Sequence, residues 1–216
     1  MADLKKVLAA LEANCMTGEI VESRDEVVAA VAKLLHEGDV IASGGSMTLK
    51  ECGVIEYVKS GPYKYLDRAT PGLTREQMEY QVFRGAFTSD VYLMSSNAIT
   101  EHGELYNVDG NSNRVAALLY GPKKVIIVAG QNKIVPNLAE AAVRVKTKAA
   151  PPNCVRLDCK TYCNETGACV SLKDEDAFLC DGCKSDDRIC CNYVVSAKQR
   201  QKGRIHVILV KEDLGF

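Results

Sequence analysis

Apolar and polar positions alternate with two different periods along the first 148 residues, which predicts helices and strands in turn. Leu4, Val7, Leu8 and Leu11 recur at the spacing of one helix face, whereas residues 39–43 form a short apolar run of the kind that makes a buried strand. Further strands are predicted at 63–67, 91–95 and 124–129, and further helices at 23–35, 46–58, 74–82, 114–120 and 137–146. Strands separated by helices imply a parallel sheet with helices on both faces.

Capping signals mark where two of these helices begin. Ser23 with Glu26 and Thr74 with Gln77 have the spacing of a capping box, in which each side chain bonds the backbone N–H of the other residue. Between two later strands, the residues around His102 have the composition of a short hairpin.

The chain changes composition near residue 150. Eight of its ten cysteines lie between 154 and 191, and the prolines within 149–153 are expected to stop the preceding helix. Two more strands are predicted at 193–195 and 204–210, and the second is apolar enough to return to the same sheet. The sequence therefore predicts a single α/β domain over 1–216, with the cysteine-rich segment 154–191 as an insertion before the last strands.

Composition and charge argue against several classes of function. The 47% of hydrophobic and 25% of charged residues are ordinary globular values, and the net charge of −1 argues against binding to nucleic acid or other polyanions. No apolar run approaches the roughly 18 residues that cross a bilayer, and the N-terminus is amphipathic. We expect a cytoplasmic protein without membrane insertion or a nucleic-acid partner, whose reduced thiols favour metal ligation over disulfides.

A glycine-rich turn joins one predicted strand to the next helix. Gly44 and Gly45 allow the chain to turn sharply and leave N–H groups pointing at an occupant of the turn. The hydroxyls of Ser46 and Thr48 suit a phosphate or carboxylate, and Glu51 follows one helical turn later. The turn is a candidate anion site, and the alternative, that Ser46 or Thr48 only caps the helix, stays open.

The stretch 95–114 also follows a strand and is rich in fixed hydrogen-bonding groups. It holds four Asn, two Glu, one Asp and one Arg, more than a solvated hairpin needs, although several must serve turns and caps. Four of these residues fit a structural role and a binding role equally well: Asn97, Glu101, Asn107 and Asp109.

A third polar cluster follows another predicted strand. Asn132 and Lys133 are candidate ligand residues there, and the amine of Lys133 would neutralise an anion. Ligands of open α/β sheets bind outside the carboxyl ends of the strands, and this cluster, the glycine turn and the stretch 95–114 all leave such ends. We predict one crevice for a small anionic metabolite, with Glu51 or Glu101 as the group that moves a proton. No nucleotide cofactor is inferred.

The cysteine-rich segment is a candidate metal centre. Cys180 and Cys183 are separated by two residues, which lets both thiols reach one ion or cluster. Cys163, Cys169 and Cys190 are candidates to complete the ligand set. Zinc would tie a loop-rich segment together, an iron–sulfur cluster would make it an electron relay, and unligated thiols are the third possibility.

Four stretches of sequence resemble the LUD-domain family of lactate-utilization proteins: 44–51, 96–110, 113–116 and 121–125. The resemblance extends over nearly the whole chain and implies a Rossmann-like sheet with a small-molecule crevice, a fold related to ribose-phosphate isomerases, glucosamine-phosphate deaminases and CoA transferases. The family is linked to the oxidation of lactate to pyruvate in a complex with iron–sulfur subunits.

The resemblance implies an accessory, small-anion-binding subunit of lactate or 2-hydroxy-acid utilization, with iron–sulfur and oxidoreductase subunits as partners. The alternative is a free-standing enzyme that acts on a small carboxylate or phosphorylated metabolite. Members of the family also carry cysteines in the setting seen here at 166–169 and 188–190. This chain departs from that pattern by the spread of residues 170–179 between Cys169 and Cys180, which leaves the ligand set open.

Overall fold

The strands form two sheets in the structure, a computed structural model that describes residues 3–216. Their bounds are β1 Thr17–Val21, β2 Val40–Ser43, β3 Lys64–Tyr65, β4 Val91–Met94, β5 Ala98–Thr100, β6 Leu105–Asp109, β7 Lys124–Gly130, β8 Ile134–Val135, β9 Asn192–Ser196 and β10 Ile205–Val210. Six strands in the order β1-β10-β7-β4-β2-β3 make a parallel sheet. The predicted α/β class with a mainly parallel, Rossmann-like sheet is confirmed.

The helices lie between these strands along the chain. Their bounds are α1 Leu4–Ala13, α2 Val27–Ala32, α3 Met47–Glu51, α4 Val54–Ser60, α5 Arg75–Gln77, α6 Asn113–Leu119, α7 Leu138–Arg144, α8 Ala150–Arg156 and α9 Tyr162–Thr166. Two π-helical turns, Met78–Arg84 and Val145–Ala149, extend α5 and join α7 to α8. No helix within residues 3–216 combines the length and the apolar character needed to cross a bilayer.

The central strand β7 is buried on both faces, and its side chains divide between two cores. Val125, Ile127 and Ala129 pack in one cluster, and Ile126 and Val128 pack in the other. This division follows from the two-residue period of a strand. Helix α1 covers the first face, and α2, α3 and α4 cover the second.

The remaining four strands form a second, mixed sheet that the sequence did not predict. Its order is β8-β5-β6-β9, with β5 and β6 antiparallel as the predicted hairpin around His102. Strand β9 pairs antiparallel with β6, whereas β10 returns to the parallel sheet, as predicted, and lies there between β1 and β7. The expectation of one sheet was therefore wrong, since the second sheet depends on pairing between residues far apart in sequence.

Two local predictions at helix ends have different outcomes. The capping box of Thr74 and Gln77 is confirmed by both of its hydrogen bonds, at 3.1 and 2.9 Å. The box predicted at Ser23 is wrong: the Ser23 side chain makes no capping bond, and the carboxylate of Glu26 accepts the backbone N–H of Glu22 instead, at 3.1 Å.

The prediction that residues 149–153 end a helix is also wrong. The π-helical turn after α7 leads directly into α8. Pro151 and Pro152 lie in the first turn of α8, where a missing N–H leaves no hydrogen bond unmade. As a result, Asn153 and Arg156 project from a helix that borders the cavity described below.

Arg204 fixes the start of β10 against the end of α6. Its guanidinium is buried and donates to the carbonyl oxygens of Ala117, Leu118 and Pro122 at 3.1, 2.7 and 3.0 Å. The carbonyls of the last helical turn have no partner within the helix. Arg204 therefore satisfies groups that burial would otherwise leave unpaired.

We expect Arg204→Met to lower the free energy of unfolding by about 2–4 kcal/mol, because three buried carbonyls lose a charged donor. Urea unfolding followed by circular dichroism measures this change. Arg200→Met is the matched control, since Arg200 is exposed on the loop before β10. Equal urea midpoints for the two variants would show that Arg204 does not carry this role.

Candidate functional site

A cavity of about 300 Å³ lies at the carboxyl ends of the parallel strands. Residues 43–47 after β2, residues 94–97 after β4, and Lys133 after β7 contribute to its wall. Residues 108–111, Asn113 and Arg114, at the end of β6 and the start of α6, also line it, as do Asn153, Arg156 and Leu157 at the end of α8. The three segments that the sequence places at strand ends thus meet in one hollow.

Cationic side chains predominate among the charged groups of this wall. Arg68, Arg114, Lys133 and Arg156 line the cavity, and Asp109 is the one acidic side chain that residues 3–216 place on it. Burial and the neighbouring charge of Arg68 lower the pKa of Arg156, so these two guanidinium groups repel one another. The electrostatics of the cavity favour an anionic occupant.

Arg114 is held by a set of acceptors from the second sheet. Its Nη1 donates to Asn107 Oδ1 at 2.7 Å, and its Nη2 donates to Asn97 Oδ1 at 3.1 Å and to the carbonyl oxygen of Val108 at 2.7 Å. Nε lies 3.5 Å from Asp109 Oδ2. Burial lowers the pKa of Arg114, and the nearby Asp109 charge counters that effect. The guanidinium is therefore fixed in one position at the cavity wall.

The candidate residues Asn97, Asn107 and Asp109 all belong to this arrangement. Asn97 and Asp109 line the cavity, but Asn97 Oδ1 also accepts the Val108 N–H, and the Asp109 carboxylate accepts the N–H groups of Ser112 and Val115. Asn107 is fully buried behind the wall, so its predicted contact with the ligand is wrong. These side chains position Arg114.

Gly44 and Gly45 allow two guanidinium groups to lie against the backbone. A Cβ atom at Gly45 would be 2.8 Å from Arg68 Nη2, and one at Gly44 would be 3.0 Å from Arg114 Cδ. Ser46 lines the cavity, and its hydroxyl also caps α3 by accepting the Leu49 N–H at 3.2 Å. The glycines therefore serve close approach of cationic side chains.

Lys133 is the most deeply buried cation of the cavity wall. Its side chain is 4% exposed, and its Nζ donates to Ser95 Oγ at 3.1 Å. Burial, and then the charge of Arg144, lower the pKa of Lys133 to about 7. An anion in the cavity would favour the protonated amine.

Three candidate residues lie outside the cavity wall because they bind the segment that follows β10. The Thr48 hydroxyl donates to the carbonyl of Leu214 at 3.3 Å, and the Glu51 carboxylate accepts the Gly215 N–H at 2.8 Å. The Asn132 amide bonds both of these residues. The prediction that Thr48, Glu51 and Asn132 face the crevice is therefore wrong.

Glu101 also lies outside the cavity. It occupies the hairpin turn after β5, and its carboxylate accepts a hydrogen bond from Lys6 Nζ at 2.6 Å. Strand β5 runs from Asn97 at the cavity wall to Glu101 at its opposite end. Glu101 is therefore too far from the cavity to carry a proton there, contrary to the prediction.

Three charged residues of the cavity wall were not among the candidates: Arg68, Arg114 and Arg156. Arg68 follows β3 and Arg114 ends the polar stretch 95–114, so the rule of strand carboxyl ends could have suggested both. Arg156 gave no such signal, because the chain was predicted to leave the helix before residue 156.

Cysteines line a second cavity, of about 20 Å³, within the cysteine-rich segment. Four of the predicted metal ligands lie on it, namely Cys163, Cys169, Cys183 and Cys190, together with Cys154. The fifth candidate, Cys180, is exposed and lies outside it. Within residues 3–216, no three Cys, His, Asp or Glu side chains already converge as a metal site.

The chain matches one protein-family model and is similar in structure to solved proteins. The LUD domain model matches residues 4–210, and no curated protein sequence matches the chain. A DUF162 family protein from Deinococcus radiodurans aligns over 97% of this chain and 99% of its own, with 15% identity and a TM-score of 0.47. The eIF2B beta structure from Chaetomium thermophilum aligns over 53% and 40%, with 14% identity and a TM-score of 0.38.

We expect Lys133→Met to raise the free energy of unfolding by about 1–3 kcal/mol at pH 7, because it removes a buried amine. Between pH 7 and the ordinary Lys pKa of 10.5, the unfolded chain binds a proton at Lys133 that the folded chain lacks. The stability of the wild type should therefore rise relative to the variant as the pH increases through this interval.

Urea unfolding at pH 7 and pH 9 measures both effects. Lys50→Met is the control, since Lys50 is an exposed residue of α3. Identical pH dependence in Lys133→Met and Lys50→Met would contradict the burial of an amine with a lowered pKa.

Proposed function

We propose, from the fact that this chain belongs to the LUD domain family, that it is an accessory subunit which binds a small organic anion in lactate or 2-hydroxy-acid utilization. Iron–sulfur and oxidoreductase subunits would be its partners and would carry the electrons. The observation that supports anion binding is the excess of cationic over anionic side chains around one cavity.

Two of the cationic side chains lack carboxylate partners within the described residues. Among residues 3–216, neither Arg68 nor Arg156 takes part in an ion pair. The carboxylate of Asp109 is already engaged by Arg114 and by backbone N–H groups. Each charged hydrogen bond to a bound anion contributes about 1.5–3 kcal/mol, and the anion would also relieve the repulsion between guanidinium groups.

The size of the cavity limits the class of ligand. Pockets for small molecules range from about 300 to 1,000 Å³, and this one lies at the lower end at about 300 Å³. A carboxylic acid of a few carbons or a small phosphorylated metabolite fits that volume, whereas a dinucleotide does not. Lactate and pyruvate belong to the class that fits.

The absence of the predicted carboxylates from the wall favours binding over catalysis. Glu51 and Glu101 are engaged elsewhere, and Asp109 is held by Arg114. One observation favours the second candidate, a free-standing enzyme: Lys133 has a pKa of about 7 beside the cavity, which suits a group that exchanges a proton with a bound small acid.

Arg68→Gln should weaken the binding of a small anion by about tenfold, because it removes one charged donor worth roughly 1.4 kcal/mol or more. Isothermal titration calorimetry with lactate, pyruvate and inorganic phosphate measures the affinity. Arg84→Gln is the control, since Arg84 is an exposed residue that pairs with Glu79 outside the cavity. Binding of none of these anions, or equal losses in the two variants, would overturn the proposal.

The isolated protein should not oxidise a 2-hydroxy acid, because the proposed subunit leaves electron transfer to its partners. The measurement is reduction of an artificial electron acceptor in the presence of lactate. Turnover that Lys133→Met lowers far more than it weakens anion binding would establish the free-standing enzyme in place of the accessory subunit.

A further inference from the structure

The cavity in the cysteine-rich segment is small and surrounded by sulfur-bearing side chains. Its volume of about 20 Å³ suits one ion or one water molecule. It is too small for a cubane cluster in this conformation. The five cysteines on its wall come from α8, from α9 and from the loops that follow.

Four of these five thiols form a group around Cys190. Cys163, Cys169, Cys183 and Cys190 all line the same cavity of about 20 Å³, so their side chains border one common space. Cys154 is almost completely buried, and its Sγ is 3.7 Å from Cys163 Sγ.

Two buried hydroxyls lie beside sulfurs of this group. Thr161 Oγ1 is 3.5 Å from Cys163 Sγ, and Ser171 Oγ is 3.3 Å from Cys169 Sγ. Both hydroxyl residues are buried. Hydroxyl donors in contact with thiolates orient metal ligands and tune their basicity.

Arg188 holds two parts of the segment together. Its Nε donates to the carbonyl oxygen of Cys190 at 2.8 Å, and its Nη1 donates to that of Cys183 at 3.2 Å. Nη2 donates to the carbonyl oxygen of Cys180. The positive charge of Arg188 would also balance part of the excess negative charge of several thiolates around a divalent ion.

We propose that Cys163, Cys169, Cys183 and Cys190 bind a single Zn²⁺ ion as a four-thiolate site, and that Cys180 is not a ligand. Thiolates are soft ligands that zinc accepts in tetrahedral structural sites. The thiols line the cavity without yet converging on one point, so rotation of their side chains toward its centre completes the site. The bound ion would stabilise a segment that has few buried apolar residues.

The site borders the anion cavity but is distinct from it. Ile189 and Cys190 line both cavities, as do Val145 and Ala150. Zinc would therefore fix one wall of the anion cavity.

Elemental analysis of protein purified with added zinc should give about one zinc per chain for the wild type and for Cys180→Ser, and below about 0.2 for Cys183→Ser. Cys180 is a matched control because it lies in the same loop, is exposed, and does not line the cavity. Equal zinc content in both variants, or a wild type that holds none, would overturn the proposal. Iron together with acid-labile sulfide would overturn the assignment of a single zinc ion.

A second measurement covers the case in which Cys183→Ser does not fold. Wild-type protein loaded with Co²⁺ should show the intense visible bands of tetrahedral thiolate coordination, and zinc should protect about four thiols from alkylation. Protection mapped by mass spectrometry to cysteines other than the four named would contradict the ligand set. Neither experiment includes an anion, so a negative result leaves the anion-binding proposal standing.

Discussion

The guanidinium of Arg114 is the interaction on which the candidate site depends. Arg114 lies on α6, and its guanidinium is held by hydrogen bonds to Asn97 and Asn107 and by the nearby Asp109 carboxylate, all in or next to the second sheet. Its side chain also packs against Gly44, which follows β2 of the parallel sheet. A buried charge is tolerated only where acceptors surround it. Because those acceptors come from a different sheet, the relative placement of the two sheets and the charge of the cavity are set by the same contacts.

Five of the six strands of the parallel sheet could be predicted because they carry strong local signals, whereas β1 (Thr17–Val21), with only two apolar residues in a row, was not predicted. Strands β7 and β10 are almost entirely apolar runs. The capping box of Thr74 and Gln77 likewise depends on only four consecutive residues. The second sheet could not be predicted, since β9 pairs with β6 across the whole cysteine-rich segment. The prediction that the helix stops at Pro151 and Pro152 failed for a related reason. Proline ends a preceding helix in many sequences, but it is equally favourable in the first turn of a new one.

The same distinction separates the site residues that were found from those that were missed. Topology places residues after β2, β4 and β7 at one edge, which is why Gly45, Asn97 and Lys133 could be found. Glu51 and Asn132 also follow strands of this sheet, but their side chains are hydrogen-bonded to the backbone of residues 214–215. Nothing in the sequence around Glu51 or Asn132 indicates that contact. The sequence was therefore enough to predict that the site lies at the carboxyl edge of the parallel sheet. Which side chains face the cavity depends on contacts between residues far apart in sequence.

The position of β10 has a consequence for how the chain reaches this fold. Strand β1 has β10 as its strand neighbour in the parallel sheet, and nearly 190 residues separate their paired positions, as in Thr17 and His206. During folding β1 therefore has no strand partner until the chain reaches β10, and in the finished sheet β1 is an edge strand. Closing so large a loop is slow, so an unpaired strand is exposed until the two strands meet.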